Sequence, residues 1–140
     1  MIKALFTILG IFALNTANTT LVINAPDNGE AGIIYYGNKL EKAEIDQLAP
    51  AGYWAQGLYP AYGLKGTTET AIAVTQADGN KTLQLNVCAV EEGSWEGGKT
   101  ISIISKDPAY PVTVKNVFKS FEEQDMIETW AEITNGAKAT

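Results

Sequence analysis

The chain has 140 residues, 46% of them hydrophobic and 19% charged, so it suits one folded domain and lacks the composition of a disordered protein. Ten basic and sixteen acidic residues give a formal charge of −6, which disfavours binding to nucleic acid phosphates. The chain has no histidine and one cysteine, which excludes the commonest general base, an internal disulfide and a thiolate metal cluster.

Residues 1–19 form an apolar segment with Lys3 near its start and a polar end beyond Leu14. This is the form of a secretory signal, although Asn15 stands where a small residue would be wanted for cleavage after Ala17. The segment is therefore expected to be either a removed signal or an apolar arm or strand that completes the fold or an interface. In the second case its candidate interface residues are Phe6 and Phe12. Residues 20–140 are predicted to be a single β-rich domain.

Two short runs of β-branched and aromatic residues follow, at residues 20–24 and 32–36, separated by a Pro-Asp-Asn-Gly sequence. Such runs around a turn sequence predict a β-hairpin. After them, Asn38 and Glu41 have the spacing of a helix cap, and apolar residues recur on one side up to Pro50. This pattern predicts a short helix.

Residues 50–66 combine glycines and prolines with four aromatic residues, which predicts a long shaped loop. Such aromatics can pack into the core, anchor a protein interface or stack on a sugar ring. The candidate binding or interface residues in this loop are Tyr53, Trp54, Tyr59 and Tyr62.

Residues 70–76 and 81–90 alternate in polarity around an Asp-Gly turn and predict a second hairpin. Within it, Cys88 is expected to be a buried small apolar residue. A Gly-rich turn at residues 91–98 then separates this hairpin from further strands at residues 100–105 and 112–117. The total is about six strands.

The last part of the chain is predicted to be a helix that packs on the sheet. Ser120 and Glu123 have the spacing of a capping box, and Asn135-Gly136 offers a stop. The apolar side of this helix would be formed by Phe118, Phe121, Met126, Ile127, Trp130 and Ile133.

Adjacent acids occur at Glu91-Glu92 and Glu122-Glu123, and a glycosidase needs two carboxyl groups across a cleft. Adjacent pairs arise by chance in a chain with this many acids, so a small hydrolase ranks last among the alternatives. The turns at residues 27–30 and 78–80 lack the ligand spacing of an EF-hand. We therefore expect no catalytic residue, no metal site and no cofactor.

These patterns favour a mainly β fold, a small antiparallel β-sandwich or meander of about six strands with a C-terminal helix packed on it. They favour a non-enzymatic structural protein that acts by self- or hetero-assembly, such as a bacteriophage capsid decoration, a tail protein or a surface filament subunit. Its expected partners are other copies of itself or other structural proteins of an assembly, with no nucleic acid and no membrane span. Its expected location is a virion, the extracellular space or the cell surface. The alternative is a secreted binding module that takes carbohydrate through the aromatic loop.

Overall fold

The computed structural model describes residues 10–48, 56–63 and 69–138, which form two four-stranded antiparallel sheets. The first sheet contains, in spatial order, β1 (Gly10–Asn15), β2 (Thr19–Ala25), β3 (Gly32–Asn38) and β4 (Gln56–Gly57). The second contains, also in spatial order, β5 (Asn86–Trp95), β6 (Gly98–Lys106), β7 (Val112–Phe121) and β8 (Met126–Asn135). In both sheets, strands that are neighbours in space are also neighbours in sequence. The prediction of a mainly β, antiparallel fold is confirmed.

The first hairpin and the short helix lie where the sequence predicts them. β2 pairs with β3, with a register shift between Val22 and Ile23. The helix α1 (Lys42–Leu48) starts four residues after the predicted cap, Asn38. Glu41 takes the cap position instead, and its N–H donates a 2.8 Å hydrogen bond to the Glu44 carboxylate. That contact reproduces the reciprocal half of a capping box. No helix in the described part of the chain is long and apolar enough to cross a membrane.

The predicted C-terminal helix is wrong, because residues 126–135 form β8, which pairs with β7 along its whole length. The acidic residues that were predicted to start this helix instead form the turn between β7 and β8. In that turn, Asp125 has a φ of 54°, and its N–H lies 3.4 Å from the carbonyl oxygen of Glu122. Ser120, the predicted cap, is a fully buried residue of β7.

The predicted second hairpin is also wrong in its strands, although its turn is present. The N–H of Gln76 donates to the carbonyl of Asn80 at 2.8 Å, but the described residues 69–85 contain no strand. Their buried apolar side chains join Val112 and Val114 of the second sheet in a small cluster, so packing takes precedence over strand pairing. β5 then runs through residues 91–95, which reduces the predicted Gly-rich turn to two residues, Glu96 and Gly97.

Two apolar clusters hold the structure together, and the larger lies between the sheets. It contains Phe12, Leu14, Leu21, Ile23, Ala25, Ala31, Val87, Val90, Ile101, Ile103 and Phe118. The smaller contains Ala61, Ile72, Leu83, Leu85, Val112 and Val114. Burying one large apolar side chain stabilises a fold by about 1.5–3 kcal/mol. β1 is therefore part of the sandwich, because Phe12 and Leu14 are both buried.

Candidate functional site

Of the six predicted interface residues, the structure describes Phe12, Tyr59 and Tyr62, and these three have different surroundings. Phe12 lies in the larger core cluster, Tyr59 is half-buried against the smaller one, and Tyr62 is 48% exposed. Phe6, Tyr53 and Trp54 lie outside the described residues. The binding role of these six residues stays a prediction.

A different group of large side chains lies on the second sheet, on the face turned away from the first sheet. We call it the outer surface, and it consists of the exposed Trp95, Met126 and Trp130 and the half-buried Lys119 and Phe121. Side chains alternate between the faces of a strand, and the neighbouring residues Ile101, Ile103 and Phe118 occupy the core face. Exposed apolar groups of this kind mark interaction surfaces.

Aromatic stacking orders one end of the outer surface. The rings of Trp95 and Phe121 meet edge to face with centroids 5.0 Å apart, and Met126 lies opposite Phe121 in the strand register. The Nζ of Lys119 lies 4.2 Å from the centroid of the Trp95 ring. Both contacts stabilise the exposed rings without burying them.

The tight β5–β6 turn places Trp95. Its indole N–H donates to the carbonyl of Ser120 at 3.1 Å, and the hydroxyl of Ser120 accepts a 2.9 Å hydrogen bond from the N–H of Lys99. Gly98 lies against the same serine so closely that a Cβ there would overlap the Ser120 carbonyl oxygen. The turn therefore packs on β7 through backbone contacts that only glycine allows.

Acids flank the tryptophan at the other end of the outer surface. Glu128 and Glu132 lie on the same face of β8, and the indole N–H of Trp130 donates to Glu132 at 3.0 Å. Their cross-strand neighbours on β7 are Lys119 and Lys115. Lys115 instead forms a 3.2 Å ion pair with Glu91.

A hydrogen-bonded carboxylate joins the β7–β8 turn to the β1–β2 turn. Asp125 accepts hydrogen bonds from the hydroxyl of Thr16, from the backbone N–H of Asn18 at 3.1 Å and from the Asn18 amide at 3.2 Å. These hydrogen bonds, above all that from Thr16, lower the pKa of Asp125 below its ordinary value. The carboxylate connects the two sheets.

A second polar cluster lies beside a cavity of about 400 Å³ lined in part by Val74, Ile133 and Ala137. The Tyr110 hydroxyl donates to Asp78 at 2.7 Å, and the N–H of Asn80 donates to the same carboxylate at 2.9 Å. The hydrogen bond from Asn80 and then that from Tyr110 lower the pKa of Asp78. The hydrogen bond to Asp78 raises the pKa of Tyr110.

Neither carboxylate suits the general acid of a glycosidase, which requires a raised pKa and a second carboxyl group across a cleft. The adjacent acids Glu91 and Glu92 lie opposite Ser102 and Ile101 in the register, so they point to opposite faces of β5. Among the described residues, no group of three or more acids and cysteines is placed to hold a metal ion. Cys88 is exposed, contrary to the prediction that it is buried.

The sequence model of the glycosyl hydrolase family 36 N-terminal domain matches residues 29–140, which is most of the chain. The chain belongs to this family. No curated protein sequence gives a significant match to it.

Three solved structures with a similar fold are named as α-galactosidases or as a galactosidase domain. The α-galactosidase from Lactobacillus brevis is 21% identical with a TM-score of 0.74, over 91% of this chain and 22% of its own. The galactosidase domain of an α-galactosidase-sucrose kinase is 21% identical with a TM-score of 0.73, over 96% and 23%. The family 36 α-galactosidase from Geobacillus stearothermophilus is 16% identical with a TM-score of 0.72, over 95% and 22%. At these identities the likeness shows the fold, and this family 36 domain spans less than a quarter of each of those chains.

The family overturns the function predicted from the sequence. The predicted bacteriophage virion component, whether a capsid decoration or a tail protein, is wrong, because the matched family is a domain of glycosyl hydrolases. The surface filament subunit and the alternative of a secreted binding module are wrong for the same reason. The missing catalytic residue types misled the prediction. A domain without catalytic groups can belong to an enzyme whose chemistry lies elsewhere.

Sequence reasoning also missed the outer surface of this family 36 domain. Met126 and Trp130 were assigned to the apolar side of a helix, and Trp95 lay in a predicted turn. The signal that could have revealed β8 was its content of β-branched and aromatic residues, which favour strands: Ile127, Thr129, Trp130, Ile133 and Thr134.

Proposed function

We propose that this chain serves as a non-catalytic β-sandwich domain of a glycoside hydrolase related to the α-galactosidases. It acts by packing against the remainder of the enzyme, where the chemistry takes place. The observation that carries the proposal is the family match over residues 29–140. The names of the three similar structures support the α-galactosidase class.

The chemistry of the described carboxylates supports a non-catalytic role. Asp78 and Asp125 have their pKa values lowered by local hydrogen bonds, and each accepts hydrogen bonds that fix a turn. A carboxyl group in this state stays ionised near neutral pH and cannot protonate a leaving glycosidic oxygen. The outer surface instead offers exposed aromatic groups, which are enriched where protein surfaces associate.

The test is hydrolysis of 4-nitrophenyl α-galactoside by the purified 140-residue chain, with the Geobacillus stearothermophilus α-galactosidase as positive control. We expect the chain to release nitrophenol no faster than the buffer does. Release above the buffer rate that is reduced at least tenfold by Asp78→Asn or Glu92→Gln would overturn the non-catalytic role.

A further inference from the structure

The outermost strand of the second sheet, β8, presents a long and regular hydrogen-bonding edge. It pairs with β7 through ten successive residues without a register shift, and no other described strand pairs with it. Its sequence contains neither proline nor lysine, the residues that commonly block an edge. The opposite edge of the same sheet, β5, is interrupted by a register shift between Val87 and Ala89. Of the two edges, β8 therefore offers the more regular row of backbone groups to an added strand.

Apolar side chains lie exposed on both faces of β8. Met126 and Trp130 are 48% and 40% exposed on the outer surface, and Ile133 is 55% exposed on the face that carries the core. Thr129 and Ala131, also on the core face, are exposed as well, so the larger cluster does not cover this strand beyond Ile127. An added strand would bury apolar area on each side of the sheet.

The charges on β8 specify what should pair with it. Glu128 and Glu132 lie on either side of Trp130, and no ion pair joins them to a lysine among the described residues. The two lysines opposite them on β7 make other contacts. Lys115 forms an ion pair with Glu91, and Lys119 lies over the Trp95 ring. Basic residues on an added strand would face two acids that form no ion pair with a described lysine. Opposite charges in directly facing positions stabilise a strand pair.

A second copy of the chain is a poor occupant of the same edge. An antiparallel pair of β8 strands centred on Trp130 would place Glu128 of each copy opposite Glu132 of the other. Like charges in facing positions destabilise the pair.

We infer that β8 accepts an added antiparallel strand from the remainder of the glycoside hydrolase, with basic residues opposite Glu128 and Glu132 and an apolar residue opposite Trp130. The inference rests on the proposed function. More than three quarters of each similar structure lies outside the part this chain covers, which leaves ample polypeptide to supply the strand. Main-chain hydrogen bonds would supply the affinity and the facing side chains the specificity.

The test fuses one strand, through a flexible Gly-Ser linker of about eight residues, to the C-terminus of the full 140-residue chain. The fused strand alternates threonine with lysine and valine, so that lysines face Glu128 and Glu132 and a valine faces Trp130. A short flexible linker raises the effective concentration of the strand to about the millimolar range. The matched control carries glutamates in place of the lysines.

Hydrogen exchange of the β8 amides, followed by nuclear magnetic resonance, reports the pairing. The lysine strand is expected to slow exchange of the outward-facing amides about tenfold relative to the glutamate strand. In the double variant Glu128→Lys with Glu132→Lys, the glutamate strand should become the more protective of the two. Circular dichroism of each fusion checks that the sandwich is folded.

Equal exchange with the two fused strands would overturn the inference, and so would a preference that the double variant leaves unreversed. Sedimentation of the unfused chain as a dimer that Glu128→Lys strengthens would overturn the choice of occupant in favour of a second copy. Hydrolysis by the unfused chain is measured separately. A failed strand test with an inactive chain therefore leaves the proposed function standing, whereas turnover by the chain overturns the proposed function alone.

Discussion

Ser120 shows how one small polar side chain can hold two hairpins in contact. It is fully buried on β7, its hydroxyl accepts the N–H of Lys99, and its carbonyl accepts the indole N–H of Trp95. Gly98 lies directly against it. The close approach of Gly98 to Ser120 is therefore a requirement of the β5–β6 turn.

Replacing this glycine tests that requirement. Gly98→Ala should lower the free energy of unfolding by about 2 kcal/mol or more, because the new Cβ overlaps backbone atoms that cannot move independently. Gly136→Ala is the matched control, since its Cβ would meet Pro111 at 3.4 Å, close to ordinary contact. Urea unfolding measures both variants, and equal losses would contradict the role assigned to Gly98.

Asp125 should make stability depend on pH. Its pKa is lowered in the folded state from the ordinary 3.8, so its contribution is complete above 3.8 and is lost as pH falls through the lower folded value. Asp125→Asn, which tolerates the positive φ, should be less stable than the original chain at pH 7, and the difference should shrink below about pH 4. Urea unfolding of both proteins between about pH 2 and pH 7 measures this difference in stability. The range spans the usual pKa values of carboxyl groups.

The control for that measurement is Glu123→Gln in the same turn, whose carboxylate accepts no hydrogen bond from the described residues. At pH 7 its unfolding free energy should stay within about 0.5 kcal/mol of that of the original chain. A difference between Asp125→Asn and the original chain that stays constant down to pH 2 would contradict the assigned cause.

At the scale of the element, the sequence of β8 fits both a helix and a strand, and the structure shows a strand. As a strand, its core face carries both Ile127, which packs against the larger cluster, and Ile133, which is exposed beyond it. Ile127→Ala should therefore cost about 2 kcal/mol of unfolding free energy, and Ile133→Ala less than about 1 kcal/mol. Thermal unfolding of the two variants compares them directly, and equal costs would contradict the packing described.

Ambiguous periodicity explains why this element was not predictable from the sequence. Met126, Ile127, Trp130 and Ile133 fit the spacing of one helical side as well as they fit a strand exposed on both faces. The strands β2, β3, β6 and β7 lie close to their predicted positions, because runs of strand-forming residues bounded by turn residues identified them. The helix α1 was also predicted, although it begins at Lys42, beyond the predicted cap Asn38. A strand that is exposed to solvent on both faces does not need to alternate apolar and polar side chains, so its sequence carries a weaker strand pattern.

Packing between distant segments explains the other failures. Leu83 and Leu85 alternate as strand residues do, yet they join Val112 and Val114 in the smaller cluster with no strand partner of their own. The outer surface could not be assembled from the sequence either, because it combines Trp95 with residues of β7 and β8. Only the registers of those strands bring these side chains together.

At the scale of the molecule, the shared core should make the two sheets unfold together. Leu14→Ala in β1 should lower the unfolding free energy by about 2–5 kcal/mol, because the larger cluster contains residues of both sheets. In a Trp54→Phe background, tryptophan fluorescence then arises from Trp95 and Trp130 in the second sheet. It should show the same reduced urea midpoint as circular dichroism of the whole chain.

Tyr36→Ala serves as the control for that experiment, since Tyr36 lies on the same sheet as Leu14 and is 62% exposed. Its effect should stay within about 0.5 kcal/mol. If the tryptophans reported an unchanged midpoint in Leu14→Ala, the sheets would be independent folding units.

The order of the strands also bears on how the chain folds during its synthesis. Each sheet pairs only successive strands, so the first can begin to form as soon as it leaves the ribosome. Its apolar face, with Leu14 and Ile23, has to await β5 and β6, which supply the covering side chains. At a synthesis rate of about 5–20 residues per second, this interval lasts several seconds. During that time the nascent chain presents an uncovered sheet, and chaperones that shield apolar surface would have their greatest effect before β6 emerges.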